Sequence, residues 1–182
     1  MGDMPVSWSD EILSFWFEEL ESADWWTKSD AIDGQIEARF LDLWQEQKSK
    51  TADAFVGLPE TALAAVILFD QFPRNMFRDS ADAYSTDHLA QQIAEQAVDL
   101  ELDQQLPERQ RAFLYMPFMH AEDIQLQNRS VTLFTKLGSN EKFANAHRDV
   151  IAQFGRFPHR NAVLGRQNRP GEQSAVEDGA NW

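Results

Sequence analysis

Thr61-Ala62-Leu63-Ala64-Ala65-Val66-Ile67-Leu68-Phe69-Asp70-Gln71-Phe72 is apolar on almost every side, and Pro59 stands just ahead of it. Proline is well placed at a first helical position, and a helix that is apolar all round must be buried. The stretch therefore predicts a central helix with other elements wrapped around it. Its uninterrupted apolar run, Ala62 to Phe69, has eight residues, whereas a membrane span needs about 20.

Outward from this rod, nearly every segment repeats at helical spacing. Ser9 is a cap candidate for a helix to about Glu21 that buries Ile12, Phe15, Trp16 and Leu20. Ser29 opens a second, to about Lys48, with Ile32, Ile36, Phe40, Leu43 and Trp44 in one stripe and Asp33, Glu37 and Asp42 facing water. Ser85 starts another, to about Leu100, burying Leu89, Ile93, Ala97 and Leu100. Pro107 begins the next, which Pro117 should interrupt because proline removes a helical hydrogen bond and clashes with the preceding turn. Phe118 to Leu137 resumes, with Gly138 as a left-handed stop. Asn140 caps a last long helix through Phe143, Ala146, Val150, Ile151 and Phe154, ended by Gly155. No stretch alternates with a two-residue period, so the fold class is all-α, with about seven helices. Residues 1–166 are expected to form one helical domain, and 167–182 a C-terminal tail, either a short helix or disordered.

The chain has 182 residues, 43% of them hydrophobic, no cysteine and a formal charge of −14. The absence of cysteine removes disulfides, thiolate nucleophiles and cysteine metal sites. The acidic balance argues against nucleic acid or an anionic membrane as partner, because neutralising phosphates takes surplus Lys and Arg. Asp3, Asp10 and Glu11 stand where a secretory signal would carry positive charge, so a cytoplasmic location is expected. Charge is unevenly spread. Residues 1–60 hold fourteen acidic and four basic side chains, whereas 147–169 carry Arg148, Arg156, Arg160, Arg166 and Arg169 against Asp149 alone. Eleven arginines against five lysines favour planar, bidentate recognition over simple solvation. Docking of this basic segment onto the acidic helices of the same fold explains the pattern equally well.

Glycine-rich phosphate loops, dinucleotide fingerprints, nucleophile elbows and calcium loops are absent. His88, His120, His147 and His159 are scattered, with no two at helical metal-ligand spacing, so no metal and no cofactor is implied. What stands out is an internal echo. Asp70-Gln71-Phe72-Pro73-Arg74-Asn75 is followed by Phe77-Arg78, and Gly155-Arg156-Phe157-Pro158-His159-Arg160-Asn161 by Leu164-Gly165-Arg166. Proline should force Phe72 and Phe157 out of helical geometry, and each arginine would then lie near the negative end of a helix dipole. In one reading the arginines staple helix ends, with Asp70, Glu122 or Asp123 as buried counter-ions. In the other the two turns converge. Arg74, Asn75, Arg78, Arg156, Arg160, Asn161 and Arg166 would then line a concave site for carboxylate or phosphate, together with His159.

Met116-Pro117-Phe118-Met119-His120-Ala121-Glu122-Asp123 is a further candidate. On a helix His120 and Asp123 would share a face, and a histidine beside carboxylates suits proton transfer. Five of the six tryptophans fall in the first 44 residues. Core packing accounts for them, while an exposed Trp25-Trp26 pair could instead grip a partner or an aromatic ligand.

Phe15-Trp16-Phe17, Leu68-Phe69-Asp70-Gln71-Phe72-Pro73-Arg74-Asn75, Met116-Pro117-Phe118-Met119-His120-Ala121-Glu122 and Gly155-Arg156-Phe157-Pro158-His159-Arg160-Asn161 are long, uncommon strings. Through them the chain resembles the bacterial family catalogued as domain of unknown function 924, over about residues 10–166. The resemblance implies a compact tetratricopeptide-repeat-like stack of antiparallel helix pairs and brings no reaction with it.

These readings lead to a cytoplasmic helical protein that binds a small anionic molecule through its Arg/His/Asn cluster. If it is an enzyme, His120 or His159 is the general acid or base in a metal-independent hydrolysis or group transfer, with arginines stabilising developing negative charge. The alternative is a protein- or peptide-interaction module that uses a helical groove.

Overall fold

Pro59 starts a helix that does not stop at Pro73. In the computed structural model, which describes residues 7–180, α3 (Pro59–Val66) widens into a π turn (Ile67–Gln71) and passes directly into α4 (Phe72–Met76). Phe72 is helical, at φ −59° and ψ −38°, so the predicted break before Pro73 is absent. The π turn absorbs the proline. Phe72 N–H reaches five residues back to the Ile67 carbonyl, and Pro73 has no N–H to give the carbonyl of Phe69. That carbonyl instead accepts from Thr86 Oγ1 (2.7 Å), which also accepts from the Trp44 indole (3.2 Å). From Ala62 to Asp70 every residue is buried, as the all-apolar pattern requires.

Around this rod lie α1 (Trp8–Ser14, continued by a π turn Phe15–Glu19), α2 (Asp30–Gln47), α5 (Asp87–Asp99) and α6 (Glu108–Met119). The last three helices are α7 (Ile124–Leu137), α8 (Glu141–Phe154) and α9 (Glu172–Glu177). There is no strand among the described residues. α3 packs on α1, α5 and α6, α4 packs on α2, and α6–α7–α8 pack as consecutive pairs. The short turns joining those pairs make them antiparallel neighbours. α9 lies against the 3₁₀ turn Pro158–Arg160. Asp3 and the last two residues of the tail lie outside the described residues.

Several local expectations change. Ser7, not Ser9, caps α1 by accepting from Asp10 N–H (3.1 Å), and Ser9 is buried within the first turn. α6 runs through Pro117 without interruption. Residues 113–119 are all buried, and their packing outweighs the roughly 3 kcal/mol cost of an internal proline. The chain then turns at His120–Asp123, and Asp123 caps a new helix by accepting from the N–H groups of Gln125 and Leu126. His120 and Asp123 are therefore on a turn and not on one helical face. Leu100, which its spacing predicts to be buried, is 57% exposed, and Phe143 of α8 is 54% exposed. Gly138 and Gly155 do stop their helices, at φ 74° and 69°.

The Thr86 hydroxyl is predicted to be a stability hinge of the rod. Thr86→Val leaves the buried Trp44 indole N–H without an acceptor and removes Thr86's donor from the Phe69 carbonyl. Urea unfolding should show a loss of about 1–3 kcal/mol, with Thr86→Ser retaining most of the stability.

Candidate functional site

Asp70 is the deepest ionised group in the rod, with no exposed surface. Both of its oxygens face Nδ1 of His120, at 2.8 and 2.9 Å, and Oδ2 also accepts from Gln71. Arg74, one turn on, lies 3.6 Å from Asp70 Oδ1 and donates to the Asp70 carbonyl. Burial alone would push the Asp70 carboxyl up. The charges of His120 and Arg74 outweigh it and hold the carboxyl well below its ordinary value. An ionised Asp70 keeps a proton on Nδ1 of His120 and fixes the ring's orientation. His120 sits at the C-terminal cap of α6 with 17% of its side chain exposed.

The Arg74 guanidinium makes its main pair across the fold. NH1 and NH2 donate to the two oxygens of Asp87, at 2.8 and 3.0 Å. Asp87 is the first residue of α5, where the helix dipole favours a negative charge. Arg160 comes to the same carboxylate from the 3₁₀ turn Pro158–Arg160, but its NH1 stays 3.5 Å from Oδ2. Its NH2 donates to the His120 carbonyl (3.1 Å). The Arg160 guanidinium lies over the rings of Tyr84 and Phe157, at 4.5 and 4.6 Å. Its Nε is buried without a hydrogen-bond partner among the described residues. Burial and the nearby Arg74 charge disfavour the charged form of Arg160. Arginine nevertheless keeps its proton in proteins.

A second group surrounds Glu122 and Glu172. Arg166 grips Glu122 bidentately (2.7 and 2.9 Å) and also bonds Asn161 Oδ1 and the Phe157 carbonyl. Glu122 in turn accepts from Phe157 N–H at 2.7 Å. Arg156 holds the fully buried Glu172 through Nε and NH2, both at 2.8 Å, and Asn161 Nδ2 adds a third bond at 2.9 Å. The Arg156 hydrogen bonds bring the Glu172 carboxyl down to about 2. A third group is separate: Arg78 and Asn75 both close on Asp33 of α2, with Arg78 NH2 and Asn75 Nδ2 each 2.8 Å from Oδ1.

The seven polar residues picked out by the echo thus divide among three ion-paired groups. Arg74 and Arg160 share Asp87, Arg156, Asn161 and Arg166 share Glu122 and Glu172, and Asn75 and Arg78 share Asp33. Phe157 links the first two groups, with its ring under Arg160 and its backbone between Glu122 and Arg166. The two turns also differ in form. Phe157 is extended (φ −88°, ψ 108°) as a pre-proline residue should be, because Gly155 has already ended α8, while Phe72 stays helical.

Asp33, which its spacing predicts to face water, meets Arg78 and Asn75 instead, and Asp87 and Glu172 fall outside the set of residues the sequence predicts for the site. The one sequence signal for Asp87 is its place at the start of a helix after Ser85-Thr86. Of the anticipated counter-ions, Asp70 and Glu122 take that role and Asp123 caps α7 instead. His147 was passed over. It donates from Nδ1 to the Phe143 carbonyl (2.8 Å) and its ring lies 6.5 Å from that of His120. The His159 ring lies tilted against that of Phe157, with centroids 5.7 Å apart. Among the described residues no three His, Asp or Glu side chains converge as a metal site. No helix among them is long and apolar enough to cross a membrane. Two clefts, of about 320 and 290 Å³, lie elsewhere, one against Trp26 and Phe113 and the other against Arg111 and Tyr115.

Fold and site together define an all-α protein in which Asp33, Asp70, Asp87, Glu122 and Glu172 are each paired with arginine, with one His–Asp pair in the buried node around Asp70 and Asp87. The chain belongs to the family described as bacterial protein of unknown function (DUF924), whose model matches residues 12–180 and so reaches into the tail beyond 166. It is similar to a solved structure of a protein of unknown function, ATU0120 from Agrobacterium tumefaciens. The two are 39% identical, with a TM-score of 0.88, over 94% of this chain and 97% of that one. None of the curated proteins matches it.

The buried histidines carry a pH signature. Burial, followed by the His120 charge, takes His147 down to about 3. Burial, followed by the charges of Arg160 and Arg74, takes His159 down to about 4. In the unfolded chain both accept a proton near 6.5, so below that pH the unfolded state binds more protons and stability falls. Urea midpoints should be level above pH 7 and decline from about 6.5 towards 4, by up to about 1.4 kcal/mol per pH unit per histidine. His147→Gln should shallow the decline.

Proposed function

We propose that this protein binds a small carboxylate- or phosphate-bearing molecule at the Arg160 end of the buried node. The observation that carries the reading is the unused donor capacity of Arg160. Asp87 is already claimed by both terminal nitrogens of Arg74, which leaves Arg160 a long 3.5 Å contact and a buried Nε without a hydrogen bond. A guanidinium that is 7% exposed and fixed between two aromatic rings has its geometry settled before any ligand arrives. Such preorganisation favours planar, charge-assisted recognition of an anion.

In this reading Arg160 meets the anion and Arg74 holds Asp87 and Asp70 in place. His120, oriented by Asp70, is the group able to exchange a proton with the ligand. Asn75, Arg78, Arg156, Asn161 and Arg166 spend their hydrogen bonds on Asp33, Glu122 and Glu172 and act as the frame. His159, against Phe157, adds positive charge to the node only in acid.

A thermal-shift panel of phosphate, sulfate and simple carboxylates at millimolar concentration tests the reading. A ligand at 100 times its dissociation constant adds about 2.7 kcal/mol of stability. Arg160→Lys keeps the charge and loses the planar fork, so the shift should shrink or vanish in that variant. An absence of shift from every anion, or equal shifts in wild type and Arg160→Lys, would overturn it.

A further inference from the structure

The cleft of about 320 Å³ lies apart from that node, against the Trp25-Trp26 pair. Its floor is Phe113, 2% exposed at the first buried turn of α6. Trp25 meets Phe113 edge-on at 4.7 Å, and its indole N–H donates to the Trp16 carbonyl at 3.0 Å, so the ring cannot turn away. Trp26 lies nearly parallel to Phe113, at 14° and 6.1 Å, yet is 65% exposed. Met116 and the segment Leu137–Asn140 form the opposite wall. An indole held flat and largely solvated above a buried ring leaves one aromatic face free to stack.

The polar edge has a sign. Arg109 lies over Trp25 at 4.5 Å and over Phe17 at 5.7 Å, and it makes no ion pair or hydrogen bond among the described residues. Eight of the other arginines are in salt bridges. In a chain with net charge −14, an arginine that avoids carboxylates and is instead stacked on a cleft wall has its N–H edge free for an incoming anion. Two helices also begin at this rim. α6 starts at Glu108, and α8 starts after Asn140, whose side chain makes no capping bond. Both present the positive end of a helix dipole. The α7 terminus at the same rim is neutralised locally, because Gly138 N–H bonds the Phe134 and Thr135 carbonyls. Glu108 is the one acidic residue of the lining and disfavours a second negative group on the ligand.

We infer that this cleft is a binding site for a small planar aromatic molecule carrying a single carboxylate, its ring on the open face of Trp26 and its carboxylate on Arg109. The site is independent of the Arg160 node.

The indole N–H signals of ¹⁵N-labelled protein, six in all from six tryptophans, give a local readout. The Trp26 signal is identified by its loss in Trp26→Ala. The probes are 2-naphthoate, the neutral 2-naphthylmethanol and the cationic 2-naphthylmethylamine. The Trp25 and Trp26 signals should move saturably with 2-naphthoate, and the alcohol and the amine should bind more weakly. Arg109→Gln, an exposed change that breaks no ion pair, should weaken 2-naphthoate about tenfold, towards the level of the alcohol. Arg160→Lys should leave this binding unchanged, which separates failure here from failure of the anion site at the node. Still indole signals at millimolar 2-naphthoate, equal affinity for all three probes, or undiminished binding in Arg109→Gln would each overturn the assignment. So would a loss of naphthoate binding in Arg160→Lys.

Discussion

Buried negative charge, and the arginines it demands, is the constraint on which this structure depends. Asp70 and Glu172 have no exposed surface and Asp87 has 7%, and each is met by arginine. Withdrawing a carboxylate from water costs several kcal/mol unless charge and hydrogen bonds are returned to it. Arg74 and Arg160 meet on Asp87, so the centre of the chain and its last quarter are tied to the start of α5. Arg156 and Arg166 then fasten the segment after α8 to Glu172 and Glu122. Breaking any one of these pairs would leave an uncompensated charge in the interior, which is far worse than never having placed it there.

The same constraint shapes what the node can do. An arginine fully satisfied by carboxylates has little left for a ligand, and Arg74, Arg156 and Arg166 are in that position. Arg160 differs because it arrives second at a carboxylate already occupied. Its neighbour His120 has one nitrogen committed to Asp70, which sets the tautomer. Around them His147 and His159 are held neutral by burial and by positive neighbours. With those two neutral, Asp70 and Asp87 offset Arg74 and Arg160 near neutral pH, and acid adds positive charge around them.

Much of the fold was legible in periodicity. The all-apolar run 62–69 reads as a buried rod and is one, and Gly138 and Gly155 read as stops and are stops, because a left-handed residue ends a helix by local geometry alone. Neither Pro73 nor Pro117 breaks its helix, contrary to what local chemistry predicts. Pro73 is accommodated by a π turn and by the hydroxyl of Thr86, which lies 17 positions along the chain from the Phe69 carbonyl it reaches. Pro117 is outweighed by the burial of the aromatic and aliphatic side chains around it. Leu100 and Phe143 match the helical stripe but fall where no neighbouring helix covers them. Of the candidate site, the residue types were visible in the repeated turn, whereas the partners Asp33, Asp87 and Glu172 were not, since a carboxylate at a helix start looks the same whether it faces water or an arginine.

Sequence by itself determined the helical class, the buried central rod, the glycine stops and the gathering of scarce positive charge into two similar turns. These depend on contacts within one or two helical turns, where spacing and backbone chemistry suffice. Tertiary structure alone decided which carboxylate each arginine takes, that Arg160 is left with a free donor beside His120, and that Trp26 lies open above Phe113. Those outcomes depend on pairs far apart in the chain, such as Arg160 and Asp87, 73 positions from one another. Which of several chemically equivalent partners is near enough to desolvate is a property of the packed helices, and no local pattern encodes it.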